Sequence, residues 1–254
     1  MKVLVCVKRV PFTGGKMVLN PESTALETKH LGFTISPHEE CGVEEAVRLI
    51  ESGGGESVVL TLGPQEAVEQ LRDAMALGID RAIHLQTDGR EADGQATAAA
   101  IAEAIRADES ASGPFDLIFF GSESADAGGY QIGIRVAYAL GRPCVTGLKG
   151  LKVEGSTVRC EQDAGGGRDV YAVPLPAVVT VKEGLNLPRY PSVPGRMRSA
   201  RKPVATSTPS PPQRRLELTR LAIPGGQGRK TEVLGSGPAA ALAVVEVLRK
   251  IGIL

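Results

Sequence analysis

The chain has 254 residues, with 29 basic and 29 acidic side chains and a net charge of zero. That length suffices for one full hydrophobic core, or for a core with an appendage. The zero net charge argues against bulk attraction to nucleic acid or to a membrane surface, and the absence of tryptophan leaves little stacking surface for bases.

Cysteine usage and the lack of long apolar runs bear on the compartment. Four cysteines are scattered without the spacing of a metal site or a disulfide framework: Cys6, Cys41, Cys144 and Cys160. The first ten residues read as a charged strand and not as a secretory signal. No apolar run approaches the roughly 20 residues of a membrane helix. We therefore expect a cytoplasmic protein that holds no metal and does not insert into a membrane.

Strand-like and helix-like segments alternate through the first 140 residues. Apolar runs predict strands at residues 3–7, 57–62, 81–85 and 117–120. Apolar residues at helical spacing predict helices around residues 43–50, 68–75, 98–105 and 132–140, the second closing at Gly78 and the last at Gly141. Continuous apolar strands between amphipathic helices indicate a parallel sheet that is covered on both faces.

The second half of the chain has a different pattern. Short strand candidates between residues 148 and 180 are broken by turns at 154–155 and 164–167, which predicts an antiparallel extension of the sheet. Prolines at 188, 191, 194 and 203 then predict a loop that continues neither a helix nor a central strand. A terminal amphipathic helix is predicted over residues 237–251.

The proline-rich loop is strongly basic. No acidic residue occurs from 184 to 216, and seven basic residues do: Arg189, Arg196, Arg198, Arg201, Lys202, Arg214 and Arg215. A stiff basic loop with apolar side chains favours the docking of an acidic partner surface. The alternative is a solvated spacer, since polar proline-rich stretches often have no other role.

A ligand site is predicted outside the carboxyl ends of the parallel strands, where crossover connections diverge. Four segments should meet there, at residues 6–11, 35–40, 61–65 and 121–133. The last combines a strand end, a loop of small residues and a helix start, which favour an anion through backbone N–H groups and the helix dipole. The same pattern fits an ordinary packing turn, so phosphate binding is one of two interpretations.

Catalytic constellations are missing from the sequence. No serine lies in G-x-S-x-G, and the three histidines have no spaced partners. The acidic pairs at 39–40 and 44–45 are interpreted as helix-start residues that complement the helix dipole. A nucleotide site without catalytic groups indicates a carrier or binding subunit.

Five motifs spread along the chain carry a family resemblance. They are VLVCVKRVP at the start, ISPHEECGVEEAVRL, LTLGP followed by ALGIDRAIHL, PLPAVVTV, and LNLPRYPSVPGRMRSARKP. Together they resemble the beta subunit of electron transfer flavoprotein over nearly the whole chain. The motifs at residues 76–85 and 174–203 are the most specific.

The resemblance implies a fold and a set of ligands. The fold is a doubly wound, mostly parallel α/β sheet of the adenine-nucleotide alpha-hydrolase type, with an antiparallel extension and a C-terminal arm. The resemblance further implies a heterodimer with an alpha subunit that carries most of the FAD, while this subunit holds AMP. Carried over by position, the nucleotide contacts are Cys6, Ser36, Pro37, His38, Glu39, Leu62, Gly121, Ser122, Glu123, Ser124, Ala125, Asp126, Ala127, Gly128, Gly129, Tyr130, Gln131 and Ile132.

The proline-rich loop corresponds to the family's recognition loop. The resemblance implies that it anchors a flavin dehydrogenase, of acyl-CoA or amine type, through Arg189, Tyr190, Val193 and Met197. Val193 stands where the family commonly has Leu, and Ser36 where it usually has Asn. Gly129 and Ile132 stand where many members carry polar residues. The stretch SADAGGYQIGIRVA resembles the branch that serves amine dehydrogenases.

The function expected from the resemblance is electron transfer from a dehydrogenase toward a quinone-linked acceptor, with no covalent catalysis by this subunit. The expected division is a nucleotide-binding domain at 1–187, the recognition loop at 188–203 and an arm at 204–254 that packs on the partner subunit. One alternative is a bifurcating flavoprotein with a second FAD in the nucleotide slot. Another alternative is an ATP-using enzyme on the same fold. Pyrophosphatases of this architecture need Ser-Gly-Gly-x-Asp after the first strand, whereas this chain has Lys8-Arg9-Val10-Pro11 at that place, which argues against ATP chemistry.

Overall fold

The computed structural model describes residues 1–12, 14, 16–210, 215–223 and 232–254. The strands are, in chain order, β1 (Lys2–Cys6), β2 (Arg9–Pro11), β3 (Phe33–Ile35), β4 (Glu56–Gly63), β5 (Arg81–Gln86), β6 (Leu117–Gly121), β7 (Cys144–Glu154), β8 (Thr157–Ala164), β9 (Gly167–Pro174), β10 (Ala177–Val181) and β11 (Val204–Ser207). The helices are α1 (Pro37–Gly53), α2 (Val68–Leu77), α3 (Gly94–Ser112), α4 (Ile132–Leu140), α5 (Val193–Ser199) and α6 (Ala241–Lys250).

Within the described residues, nine of these strands form one sheet, in the order β11-β5-β4-β1-β6-β10-β7-β8-β9. Every neighbouring pair from β11 to β7 is parallel, and β8 and β9 add antiparallel pairs at one edge. The chain builds outward from β1 to both sides, which is the doubly wound arrangement. The predicted fold class, a mostly parallel α/β sheet with an antiparallel extension, is confirmed.

The central strands are buried on both faces because helices cover each side of the sheet. Val3 and Val5 of β1 belong to the core cluster that includes side chains of α1 and α2. Leu4 and Cys6 point to the opposite face and join the cluster with α3 and α4. Each fully buried aliphatic side chain stabilises the fold by roughly 1.5–3 kcal/mol. This two-sided burial explains the unbroken apolar runs in the strand sequences.

Helix boundaries follow from local residues. The side chain of Asp93 caps α3 by accepting a hydrogen bond from the N–H of Ala96, with a length of 2.8 Å. Gly141 ends α4 in the left-handed region, at φ 65°. Gly78 follows α2 with φ 147°, and a Cβ there would lie 2.9 Å from Val47. The predicted ends of these two helices at glycines are confirmed.

The proline-rich segment contains a helix that the sequence did not predict. Pro194 lies in the first turn of α5, where its missing N–H is not needed. The hydroxyl of Ser192 accepts a hydrogen bond from the N–H of Gly195, with a length of 3.1 Å, and so caps the helix. The prediction of a loop without helix is therefore wrong for the residues of α5.

The last fifty residues begin inside the sheet and continue as an exposed arm. β11 pairs in parallel with β5 at the sheet edge, so the predicted arm starts with a strand of the main sheet. None of the residues of α6 is buried, and Leu242, Ile251 and Leu254 are strongly exposed. Residues 211–214 and 224–231 of the predicted arm lie outside the described residues. Among the helices in the described ranges, none combines the length and apolar character needed to cross a membrane.

Candidate functional site

The four segments predicted to meet at the strand ends do meet there, and the hydroxyl of Thr61 on β4 donates to the carbonyl oxygen of Val7 at 2.8 Å. The N–H of Lys8, just after β1, donates to Oε2 of Glu39 on α1 at 2.9 Å. The N–H of Ala125, in the connection from β6 to α4, donates to Oγ of Ser36 at 3.0 Å. These bonds tie the ends of β1 and β6 to the start of α1. We call the region around them, residues 6–8, 36–39, 62 and 121–132, the nucleotide slot, after the ligand that the sequence predicts for it.

A buried carboxyl group lies beneath the slot. Burial raises the pKa of Glu39 to about 8, although hydrogen bonds from the N–H groups of Lys8 and Ser36 act in the opposite direction. A Cβ on Gly121 would lie 2.7 Å from Cγ of Glu39, so the strand end packs directly on this side chain. Glu39 is therefore mostly protonated near neutral pH, and it places little negative charge under the slot.

A lysine supplies positive charge at the same place. Nζ of Lys8 lies 2.6 Å from Oε1 of Glu91 and 2.7 Å from Oδ2 of Asp126. Burial lowers the pKa of Lys8, but the two carboxylates outweigh burial and the net shift is upward. The pKa of Asp126 is lowered despite its burial, because Lys8 bonds to it. Sequence reasoning placed Lys8 in the segment 6–11 without assigning it a contact, and it did not single out Glu91.

A polar chain links the slot to the connection after β10. Nδ1 of His38 accepts a hydrogen bond from the N–H of Glu183 at 2.7 Å, and its Nε2 lies 3.4 Å from Oε1 of Glu123. A hydrogen bond to Glu123 raises the pKa of Tyr130. Tyr130 has a positive φ of 51°, which is uncommon for a residue with a side chain and costs free energy. The predicted residues His38, Glu123 and Tyr130 thus lie together.

Several amides of the connection from β6 to α4 are already bonded within the chain. The N–H groups of Ser122, Ala127 and Gly128 donate at 2.9, 2.8 and 3.0 Å to oxygens of neighbouring residues. A phosphate in the slot would therefore depend on other donors. The first turn of α4, which follows Gln131 as its N-cap, has N–H groups without helical acceptors. The remaining predicted residues lie at the same strand ends and helix starts or in the connection from β6 to α4: Cys6, Pro37, Ser124, Gly129 and Ile132.

Leu62 lines a small cavity beside the slot. The cavity measures about 60 Å³ and is also lined by Thr87, Arg90 and Ala96, which is room for about two water molecules. Thr87 and Arg90 follow β5, so they lie at the carboxyl end of the next parallel strand. Sequence reasoning missed both, although the rule that ligands bind at strand ends would have included them.

The basic segment exposes the apolar side chains that were predicted to contact a partner. We call residues 188–203 the docking segment, after the partner contact that the sequence predicts for them. Tyr190 is 95% exposed, Val193 is 73% exposed and Met197 is 67% exposed. Their exposure is consistent with the predicted partner contacts, which stay a prediction. Large apolar side chains that protrude in a group mark contact surfaces more often than inert surface.

Arg189 is the fourth residue predicted to contact a partner. It differs from the three exposed apolar residues because its guanidinium group bonds within the chain. It binds Glu44 and Glu51 of α1, with Nε to Oε2 of Glu44 at 2.9 Å and Nη1 to Oε1 of Glu51 at 2.6 Å. Glu39 and Glu40 lie in the first turn of α1, as predicted. Glu44 and Glu45 lie in the middle of the helix, so their interpretation as helix-start residues is wrong.

Comparison with known proteins identifies the family. The family described as electron transfer flavoprotein domain matches residues 24–212, well over half of the chain. The chain belongs to the electron transfer flavoprotein family. The electron transfer flavoprotein subunit beta of Syntrophomonas wolfei is 36% identical over 88% of this chain and 86% of that protein. The subunit beta of Bacillus subtilis is 34% identical over 80% of this chain and 77% of that protein.

A plant relative extends the same assignment. The mitochondrial electron transfer flavoprotein subunit beta of Arabidopsis thaliana is 33% identical over 82% of this chain and 82% of that protein. These matches confirm the resemblance to electron transfer flavoprotein beta subunits that the motifs carried. The family takes part in electron transport with a flavin, and its beta subunit implies an alpha subunit as partner.

Proposed function

We propose that this chain works as the beta subunit of a heterodimeric electron carrier. It holds AMP in the nucleotide slot and supports an FAD carried mainly by the alpha subunit. A flavin dehydrogenase docks on it, and electrons then pass toward a quinone-linked acceptor. The observation that carries the proposal is the docking segment, where Tyr190, Val193 and Met197 protrude from a backbone that is tied down by ion pairs.

The chemistry of the nucleotide slot suits an adenylate. Lys8 is already bonded to Glu91 and Asp126, so a phosphate would depend mainly on the N–H groups and the favourable dipole at the start of α4. Glu39 lies beneath these groups, and its raised pKa of about 8 keeps it mostly uncharged at neutral pH. A phosphate would therefore meet less repulsion than the number of carboxyl groups implies.

The side chains of the slot support binding and not covalent catalysis. Asp126 and Glu91 are engaged by Lys8, and His38 accepts a backbone hydrogen bond. The FAD, when bound, supplies one- and two-electron redox chemistry. The residues of this chain hold the AMP and orient the dehydrogenase, so we propose that the subunit carries electrons without a catalytic residue of its own.

The exposed arm is proposed to pack on the alpha subunit. Apolar side chains of the described part of the arm face solvent in the isolated chain: Leu216, Leu218, Ile223, Val233, Leu242, Val244, Val247, Ile251, Ile253 and Leu254. A group of this size is unusual on a monomer and is expected to be buried by a partner. Truncation after residue 232 should weaken the heterodimer, which sedimentation of the purified complex would measure.

The docking proposal is tested by replacing Tyr190 with Ser in the heterodimer. Reduction of the flavin by a reduced acyl-CoA or amine dehydrogenase should fall, while reduction by dithionite should be unchanged. Tyr138 on α4 is 90% exposed and lies outside the docking segment, so Tyr138→Ser is the matched control. Equal loss of both reductions would make the segment structural, and equal effects of the two substitutions would contradict the proposed docking site.

Mass analysis of the nucleotides released on denaturation tests the content of the slot. One AMP and one FAD per heterodimer would support the proposal. Two FAD molecules would favour the bifurcating alternative, and turnover of ATP by the purified chain would favour the alternative of an ATP-using enzyme.

We also propose a cytoplasmic location, supported by the four free cysteines, and cell fractionation would test it against the mitochondrial location of the plant relative.

A further inference from the structure

Arg189 holds the start of the docking segment against α1 through two carboxylates. Its Nη2 lies 3.1 Å from Oε1 of Glu44 and 2.9 Å from Oε2 of Glu51, in addition to the bonds from Nε and Nη1. The backbone N–H of Arg189 also donates to Oε2 of Glu44, at 3.2 Å. The flat guanidinium group thus bridges two side chains spaced seven residues apart on one helix face. We call this arrangement the Arg189 clamp.

The clamp is charged under ordinary conditions. The side chain of Glu44 is only 2% exposed. Burial alone would raise its pKa, but hydrogen bonds from Arg189 and Arg48 outweigh burial and lower it. Hydrogen bonds from Arg189 likewise lower the pKa of the more exposed Glu51. Charge-assisted, bidentate bonds of this kind fix geometry as well as adding stability.

The two ends of the docking segment are fixed to different helices. At the C-terminal end, Nη1 of Arg72 on α2 donates to the carbonyl oxygen of Lys202 at 2.7 Å. At the N-terminal end, the clamp fixes the residue directly before Tyr190. A second tie lies just before the clamp, where Nδ2 of Asn186 donates to the carbonyl oxygen of Cys41 at 3.0 Å. The exposed side chains therefore project from a backbone span that is anchored at both ends.

We propose that Arg189 is a positioning residue for dehydrogenase docking. Its clamp on Glu44 and Glu51 orders the backbone that presents Tyr190 and Val193, and its own side chain does not reach the partner. The ordering lowers the conformational entropy lost when a partner binds, so a small apolar anchor suffices for a short-lived complex. This inference rests on the proposed function of the docking segment, and it revises the partner contact predicted for Arg189.

Amide hydrogen exchange tests the ordering without any dehydrogenase. In the purified heterodimer, Arg189→Met should speed exchange of the hydrogen-bonded amides of Gly195 and Arg196 about tenfold, because a charge-assisted pair that orders the segment is removed. Glu51→Gln should speed exchange of the same amides by a smaller factor. Because it leaves no buried charge unpaired, it serves as the test if Arg189→Met or Glu44→Gln does not fold. Arg48→Gln is the control, because it removes the other cation at Glu44 and leaves the clamp in place.

Steady-state reduction by a dehydrogenase tests the consequence for docking. The probes are two reduced dehydrogenases, one of acyl-CoA type and one of amine type, used separately. Arg189→Met should raise the KM for the heterodimer about tenfold and leave kcat within about twofold, because docking and not electron transfer is affected. Arg189→Lys should lower the raised KM only in part, since a single ammonium group cannot bridge both carboxylates in the same way.

The outcomes separate the two proposals. A raised KM with unchanged amide exchange would show that Arg189 touches the dehydrogenase itself and would overturn the positioning role. An unchanged KM with faster exchange would also overturn it, because the order would not matter for docking. If neither dehydrogenase reduces the unaltered heterodimer, the proposed function is wrong, and the exchange comparison alone decides whether the clamp orders the segment.

Discussion

The nucleotide slot and the docking segment differ in which side chains they expose and in how their polar groups are paired. The slot collects polar groups and pairs them with one another, as Lys8 does with Asp126 and as Glu39 does with the N–H of Lys8. The docking segment leaves apolar groups exposed, and ion pairs from Arg189 and Arg196 bind it to α1 and α2. A site for a small anion needs donors held at fixed positions, whereas a site for a transient protein partner needs exposed apolar area on an ordered backbone.

Both regions depend on the same helix. The start of α1 supplies Ser36 and Glu39 to the slot, and its middle and later turns supply Glu44 and Glu51 to the clamp. From Glu39 to Glu51 the helix rises about 18 Å. One rigid element thus supports two sites that have different chemistry, and substitutions that affect only one of them can show how independent they are.

The largest effect is expected from adding a methyl group where α5 packs closely on α2. A Cβ on Gly195 would lie 2.4 Å from the carbonyl oxygen of Ala76. Because backbone atoms cannot move aside easily, Gly195→Ala should cost about 1–3 kcal/mol of stability and displace the docking segment. Thermal unfolding should show a lower Tm, and reduction by a dehydrogenase should fall while nucleotide content is retained.

Gly53→Ala is the matched control for that substitution. A Cβ on Gly53 meets nothing within 4 Å, so neither the Tm nor the reduction by dehydrogenase should fall. If Gly195→Ala and Gly53→Ala behave alike, α5 does not pack on α2 in the way that the structure shows.

The corresponding substitution in the slot is Gly121→Ala. Its Cβ would lie 2.7 Å from Cγ of Glu39, a side-chain atom that can shift in part, so the loss of stability should be nearer 1 kcal/mol. The bound nucleotide per heterodimer, measured by mass analysis, should fall while docking is kept. Gly32→Ala, outside the slot, is the control, since a Cβ there meets nothing within 4 Å. Equal nucleotide loss in both variants would contradict the close packing on Glu39.

A pH effect is expected from Glu39. Its folded-state pKa of about 8 lies above the ordinary value of 4.5, so the folded protein keeps a proton that the unfolded chain releases. Stability should therefore fall as pH rises from about 4.5 to about 8. Glu39→Gln stays neutral and should remove this loss, with a gain of roughly 1–2 kcal/mol at pH 8 and little change at pH 5.

Thermal unfolding at the two pH values measures the effect of Glu39→Gln. The exposed Glu103→Gln on α3 is the control and should leave the difference between pH 5 and pH 8 as it is in the unaltered protein. A Glu39→Gln variant that loses as much stability between pH 5 and pH 8 as the unaltered protein would show that Glu39 ionises normally.

The smallest effect is expected at the tip of the docking segment. Val193→Leu adds one methylene to a side chain that is already exposed, so stability should not change. If the side chain anchors a dehydrogenase, the added contact is worth about 0.8 kcal/mol, or about a fourfold lower KM. Val170→Leu on β9 makes the same change at another exposed valine and should have no effect on KM. Identical KM values for the two variants would argue against Val193 as the anchor.

Much of the fold could be predicted because it depends on local patterns. The apolar run of β1 and the helix ends at Gly78 and Gly141 depend on residues that are close together in the sequence, and the structure confirms these predictions. The helix α5 was missed because a proline at 194 suggests a break, although a first helical turn tolerates proline.

By itself the sequence determined the alternation of strands and helices and the exposed character of Tyr190 and Val193, and it predicted the strand ends at which a ligand would bind. These properties follow from periodicity, turn residues and composition, which act over a few residues. Only the tertiary structure decided that Arg189 turns inward to Glu44, 145 positions away, and that Lys8 bonds to Asp126 across the strand ends. Pairing between distant charges depends on where the chain brings them together, and no local pattern encodes that distance.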